Sequence, residues 1–114
     1  MSPPSAMAAS QVRDAAPLFA ALGDETRLQL LVRLSKGGPR TVARMSEQSQ
    51  VSRQAIAKHL QVLSNVGLVR SSREGRERIW EVEPKRLEDA RHYLDRISQQ
   101  WDMALERLKQ FVEE

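Results

Sequence analysis

Cysteine is absent from the 114 residues of this chain. That absence excludes disulfides, zinc ribbons and thiol catalysis, and it suits a reducing compartment. Long apolar runs are missing too. None approaches the roughly 18 to 20 residues that span a bilayer. The N-terminus lacks the basic segment and continuous apolar core of a secretion signal. A cytoplasmic location without membrane attachment is expected. Glycine is scarce, with 5 residues, and none of them builds a phosphate loop. Gly37-Gly38-Pro39-Arg40 lacks the spacing and the Lys-Ser/Thr pair that such a loop needs. Histidine occurs only twice, so a nucleophile triad is hard to assemble. No catalytic residue, no cofactor and no enzymatic activity are expected.

What is present begins with charge. The 18 basic and 15 acidic residues leave a net +3. The excess is uneven: 12 basic face 8 acidic residues as far as Glu83, against 6 and 7 beyond it. Positive charge therefore gathers in the N-terminal and central part, as an electrostatic footprint for nucleic acid requires. The length suggests one domain with a modest core.

The most informative stretch runs from Val51 to Val69. Ser52 is a good helix N-cap, because its hydroxyl can accept an unpaired first-turn amide. Ile56, Leu60 and Leu63 recur at four and three residues and predict a buried face. Arg53, Gln54, Ala57, Lys58 and Gln61 fall on the opposite face. Gly67 stops the helix. Arg and Lys can donate to guanine, Gln can pair with adenine, and a small Ala57 permits close approach to a major groove. A solvated amphipathic helix has the same pattern, so the neighbouring segments carry weight.

Residues 1–14 are expected to form a flexible N-terminal arm, rich in Ser, Pro and Ala at its start. Residues 15–83 would form the DNA-binding unit. Within it, Pro17 can open a first helix with Leu18, Phe19 and Leu22, ended by Gly23. Asp24 then caps a second helix with Leu28, Leu31, Val32 and Leu34 facing inward. Gly37-Gly38-Pro39 ends it. Thr41 caps a short third helix, and a brief turn over residues 48–51 leads to the helix at 52–66. Two short helices with a tight link make a helix-turn-helix, knit by Val42, Met45, Val51, Ile56 and Leu60. A hairpin follows, turning at Glu74-Gly75. Trp80 and Val82 share a face that can seal it onto the helices. Arg73, Arg76 and Arg78 make its tip basic, as in a wing that touches phosphate or a minor groove, with Ser52 and Thr41 as further backbone contacts.

Residues 84–114 carry the strongest periodicity. Leu87, Leu94, Trp101 and Leu108 are seven apart, as are Ala90, Ile97, Ala104 and Phe111. A helix over 85–112 would be roughly 42 Å long at about 1.5 Å per residue. Such a helix exceeds a small core, and its economical partner is its counterpart in a second subunit. The expected dimer interface is Leu18, Phe19, Leu87, Leu94, Ile97, Trp101, Leu105 and Leu108. Two-fold symmetry would set two reading helices roughly 34 Å apart on a near-palindromic double-stranded DNA site. Asp89 and His92, three apart on this helix, are the only local pair of metal-ligand types worth naming. Surface carboxylates beside a lone histidine are usually solvated, so a metal site there is the minor alternative to none. The same helix could instead serve as a module for a different protein partner.

These residues also carry a family likeness. Leu22-Gly23-Asp24-Glu25-Thr26-Arg27-Leu28-Gln29-Leu30-Leu31 resembles the "LsDpTRlrIL" opening of ArsR-type winged-helix repressors. Val51-Ser52 with Lys58-His59-Leu60-Gln61-Val62-Leu63 resembles their "vSqsavSkHLkvL" reading helix, and Gly67-Leu68-Val69 their "aGLV". Residues 73–78 look like their wing. The resemblance implies a mainly α fold with a small β-hairpin, a winged helix-turn-helix with a long C-terminal dimerisation helix. It implies a homodimeric repressor on inverted repeats, with the first and last helices as interface. The chain departs from the metal-sensing branch: the segment 43–48 holds no cysteine pair, and Asp89 and His92 lack a second histidine set. It resembles the branch without the cysteine site, and no effector ligand follows from the residues.

Overall fold

The computed structural model describes residues 8–47 and 49–113. Residues 1–7 of the expected arm, Gln48 of the expected turn and Glu114 lie outside the described residues. In chain order the elements are α1 (Ala9–Leu22), α2 (Glu25–Gly37), α3 (Val42–Ser46), α4 (Arg53–Asn65), β1 (Val69–Glu74), β2 (Glu77–Val82) and α5 (Pro84–Glu113). Five helices and a two-stranded antiparallel hairpin make a mainly α winged helix-turn-helix with a long last helix.

Breakers and caps delimit the elements much as the sequence suggests. Asp24 caps α2 by accepting from the Arg27 amide at 3.0 Å, Thr41 caps α3 through Arg44 at 3.1 Å, and Ser52 caps α4 through Ala55 at 3.2 Å. Gly75 takes a φ of 64° in the hairpin turn, but the turn sits at Gly75-Arg76, one residue later than expected. The end of α4 is a Schellman turn. Gly67, at φ 81°, donates to Ser64 and Leu68 donates to Leu63, both at 3.0 Å. Leu63 and Leu68 are both fully buried and supply the apolar contact of that motif.

The core joins the helices to the hairpin. Leu18 of α1, Leu34 of α2, Met45 of α3 and Ile56, Leu60 and Leu63 of α4 are essentially inaccessible. Val69 and Trp80 of the hairpin and Ala90 of α5 close it. Burying a Leu or Ile side chain contributes about 1.5–3 kcal/mol, so this cluster is the main source of stability. Arg40 adds a third extended segment to the hairpin: its amide donates to the Trp80 carbonyl at 3.0 Å and its carbonyl accepts from Trp80 at 2.8 Å.

Three expectations need correction. First, α1 begins at Ala9, inside the segment expected to be an arm, and Pro17 lies within the helix rather than at its start. Alanine at 8, 9, 15 and 16 favours the helix. Gln11 also accepts from the Ala8 amide at 2.8 Å and from Arg96 of α5 at 2.9 Å. The proline costs one helical bond, opposed by the burial of Ala15, Leu18 and Ala21. Second, Leu18 is sealed in the chain's own core and offers nothing to a second subunit. Third, α2 turns Leu30, Leu31 and Leu34 inward, while Leu28 and Val32 are 47% and 44% exposed. Two apolar stripes compete on this helix, and the packing of α4 and β2 against it selects one.

Candidate nucleic-acid interface

The reading face lies on α4. Its inward ridge, Ile56, Leu60 and Leu63, is fully buried. That fixes the rotation of the helix about its axis and leaves Arg53, Gln54, Ala57, Lys58 and Gln61 exposed on the other side. The structure therefore brings together the four residues expected to read bases, in adjacent turns of one helix. Short α3 braces the N-terminal end of α4 through the buried Met45.

The wing stands beside this face. Its register sets Arg73 opposite Arg78, Glu74 opposite Glu77, Ser71 opposite Trp80 and Arg70 opposite Glu81. Opposed residues share a face of the hairpin, so its two faces differ in sign. Arg73 and Arg78 continue the face of the buried Trp80, while Glu74, Glu77 and Glu81 occupy the other. Arg70 is neutralised by Glu81 at 2.8 Å and Glu83 at 3.0 Å. Like charges directly across a hairpin repel, and an anion near Arg73 and Arg78 relieves that repulsion. Arg76 sits in the turn itself and is exposed. An open groove of about 420 Å³ runs between wing and helices, lined by Thr41, Ala57, Gln61 and Arg78, and also by Glu77.

Sequence reasoning missed Arg40 and Arg44. Arg40 is held beside the wing by its bridge to Trp80, and Arg44 is exposed in the first turn of α3. Both line a second groove with Thr41 and Ile79. The available signal was two arginines flanking a helix cap, next to a segment already read as helix-turn-helix. Thr41 and Ser52 both spend their side-chain oxygens on caps, leaving the hydroxyl protons as donors.

His59 is braced rather than free, as expected of a packed histidine. Its Nδ1 lies 3.4 Å from the Arg27 guanidinium and 3.8 Å from Asp24. Arg27 also donates to the Ala21 carbonyl at 2.7 Å. The start of α2, the end of α1 and the flank of α4 thus meet at one cluster. The Arg27 backbone amide, then the charges of Arg27 and His59, hold the Asp24 carboxyl below its ordinary value despite some desolvation.

This arrangement has close counterparts among known proteins. A helix-turn-helix domain family matches residues 22–72. The HTH-type transcriptional regulator Rv2034 of Mycobacterium tuberculosis is 34% identical over 93 residues, covering 82% of this chain and 83% of that protein. A solved ArsR-like transcriptional regulator from Rhodococcus sp. RHA1 superposes with a TM-score of 0.76 at 37% identity, over 90% of this chain and 95% of that one. The chain belongs to the ArsR family of helix-turn-helix transcriptional regulators. A further solved relative, from Mycobacterium bovis, is described as a homodimeric winged helix-turn-helix DNA-binding domain and a possible ArsR-family regulator. It has a TM-score of 0.64 at 26% identity, over 82% of this chain and 84% of that one.

Within this ArsR-family chain α5 has two unlike halves. Its first half packs on the body through Ala90, with Leu87 and Tyr93 partly buried. Its second half leaves the body, and every residue from Trp101 to Glu113 is exposed. Of the residues expected at a dimer interface, Leu94, Trp101, Leu105 and Leu108 are 54–69% exposed, and Phe19 and Ile97 are partly buried. The metal alternative fares less well. Asp89 is paired with Arg86 at 3.2 Å, and His92 is exposed. Among the described residues no group of three His, Cys, Asp or Glu could hold a metal ion. No helix among them is long and apolar enough to cross a membrane.

Proposed function

We propose that this regulator acts in the cytoplasm as a homodimeric repressor that reads an inverted-repeat DNA site. The observation that carries the reading is the pairing of an exposed Arg53/Gln54/Ala57/Lys58 face with a wing whose Arg73 and Arg78 share one side. Arg53, Gln54, Ala57 and Lys58 contact base edges in the major groove. Ser52, Thr41, Arg73, Arg76 and Arg78 contact phosphates or an adjacent minor groove, and Arg40 and Arg44 extend that contact.

The dimer forms through α5, with Leu94, Ile97, Trp101, Leu105 and Leu108 from each copy and Phe19 at the margin. The helix exposes Leu94, Trp101, Leu105 and Leu108, and an exposed stripe of this size marks an association surface. Two-fold symmetry matches the two half-sites of an inverted repeat. Repression follows where the bound dimer blocks polymerase.

Fluorescence anisotropy against the DNA upstream of the chain's own gene tests the reading, with a scrambled duplex of equal length at two salt concentrations. Preference of about a hundredfold or more for the native fragment near physiological salt is expected. Equal binding that vanishes with salt would show phosphate attraction alone and overturn it. In that event the exposed α5 stripe favours a protein-interaction module, checked by co-purification of a second polypeptide.

A further inference from the structure

We infer that Arg86 is a positioning residue for the reading helix, tying the last turn of α4 to the α1–α5 pair. This rests on the DNA-reading role proposed above for α4. Arg86 lies in the first turn of α5, far in sequence from Val66 and Asp14, which it touches. Its Nε donates to the Val66 carbonyl at 2.9 Å. Val66 is the C-cap of α4, where carbonyls have no partner inside the helix. The cation also stands at the negative end of the helix dipole. A second nitrogen of the same guanidinium donates to Asp89 at 3.2 Å and to Asp14 of α1 at 3.5 Å. Asp14 in turn accepts from the Tyr93 hydroxyl of α5.

One side chain therefore contacts three helices, and it is largely enclosed, at 21% exposure. Its stem covers Gly67, where an added Cβ would lie 3.6 Å from the Arg86 Cγ. A planar fork of donors can serve a carbonyl and two carboxylates together, which a lysine ammonium on its flexible stem does less well. An exposed ion pair alone would contribute little. The bond to a helix-ending carbonyl differs, because it fixes where α4 stops relative to α5. The Tyr93 bond, and then Arg86, hold the Asp14 carboxyl below its ordinary value, so the chain of contacts is intact at neutral pH. Since α5 is the helix with an uncovered distal half, any partner that fixes α5 acts on α4 through this contact.

The test uses the full chain with Arg86→Ala, Arg86→Lys and Asp14→Asn. Among the described residues Asp14 makes no hydrogen bond to α4, so Arg86 is the polar link by which its loss reaches the end of that helix. Hydrogen exchange on the protein alone gives a readout that needs no DNA. Arg86→Ala and Asp14→Asn are expected to speed exchange at Gly67 and Leu68 several-fold, while Ile56 and Leu60 keep their protection. Arg86→Lys should fall between Arg86→Ala and the parent. In DNA binding, Arg86→Ala should lower the preference for the native over the scrambled duplex about tenfold, the scale of one charged hydrogen bond. The salt slope should stay unchanged, because no phosphate contact is lost. The assignment is overturned if Asp14→Asn leaves Gly67 and Leu68 as protected as in the parent. It is also overturned if Arg86→Ala weakens both duplexes equally with a shallower salt slope, the mark of a phosphate contact. A parent protein without duplex preference would sink the reading role of α4, and exchange at Gly67 and Leu68 would then decide the Arg86 link by itself. Should Arg86→Ala fail to fold, Asp14→Asn carries the same test.

Discussion

The winged body and the distal half of α5 use the same residue type in opposite ways. Leu60 and Leu63 are fully buried, while Leu105 and Leu108 are 63% and 59% exposed. Both pairs sit on helices at intervals of three, with polar residues between them. The body surrounds its leucines with four helices and a hairpin. The distal helix is exposed from Trp101 to Glu113, and the molecule is accordingly 66 Å long but only 29 by 21 Å across. A helical apolar period thus announces burial without saying whose surface does the burying. In the body the answer lies inside the chain, and for α5 the proposed answer is a second copy.

The comparison breaks most sharply at Leu105. Leu105→Glu acts twice in a symmetric dimer and should weaken association by about 3–6 kcal/mol, taking about 1.5–3 kcal/mol per copy. The monomer should remain folded, since the residue touches no core. Sedimentation with circular dichroism checks both halves of the statement, and an unchanged dimer would move the interface elsewhere. Leu60→Ala should do the converse and remove about 2–5 kcal/mol of folding stability, measured by denaturant titration. A loss below 1 kcal/mol there would contradict a tightly packed body.

Two smaller effects sharpen the contrast between reading face and wing. Gln54→Ala should cost about 1–3 kcal/mol at one base step and relax preference there. Arg78→Ala should instead weaken every sequence alike and lower the salt slope by about 0.9. Competition binding with a panel of single-base variants separates the two, and identical profiles for both variants would erase the division of labour. The smallest effect is at the cap of α2. The folded protein holds Asp24 below its ordinary pKa of 3.8, so the carboxylate contributes fully above that value. The contribution is lost as the pH falls through the depressed value. Asp24→Asn, which keeps a capping oxygen, should lack this acid-side step in unfolding curves, and an identical acid profile would remove Asp24 as its source.

The legible part of the molecule is its local part. Ser52, the Ile56/Leu60/Leu63 ridge and Gly67 identify α4 and its exposed face, because caps, 3.6-residue periodicity and a left-handed glycine all act within a few residues. Gly75 and the alternation about Trp80 do the same for the wing. Where two local patterns compete, as on α2, the sequence alone chose Leu28 and Val32 wrongly. Helix α1 was misjudged at Pro17 for a related reason. A proline is a local signal against a helix interior, and the burial of Ala15, Leu18 and Ala21 in the core opposes it.

What the sequence determined by itself is a helix-turn-helix, a basic hairpin and a long amphipathic helix in that order. Each follows from short-range physics. Only the tertiary structure decided that Leu18 is sealed inside, that Arg40 joins the wing, and that Arg86 meets both α1 and the end of α4. Those contacts link residues 20 to 72 positions apart in the case of Arg86. No local propensity encodes them. They form because the apolar ridges of separate elements must share one small core, and that packing sets which polar side chains end up as neighbours.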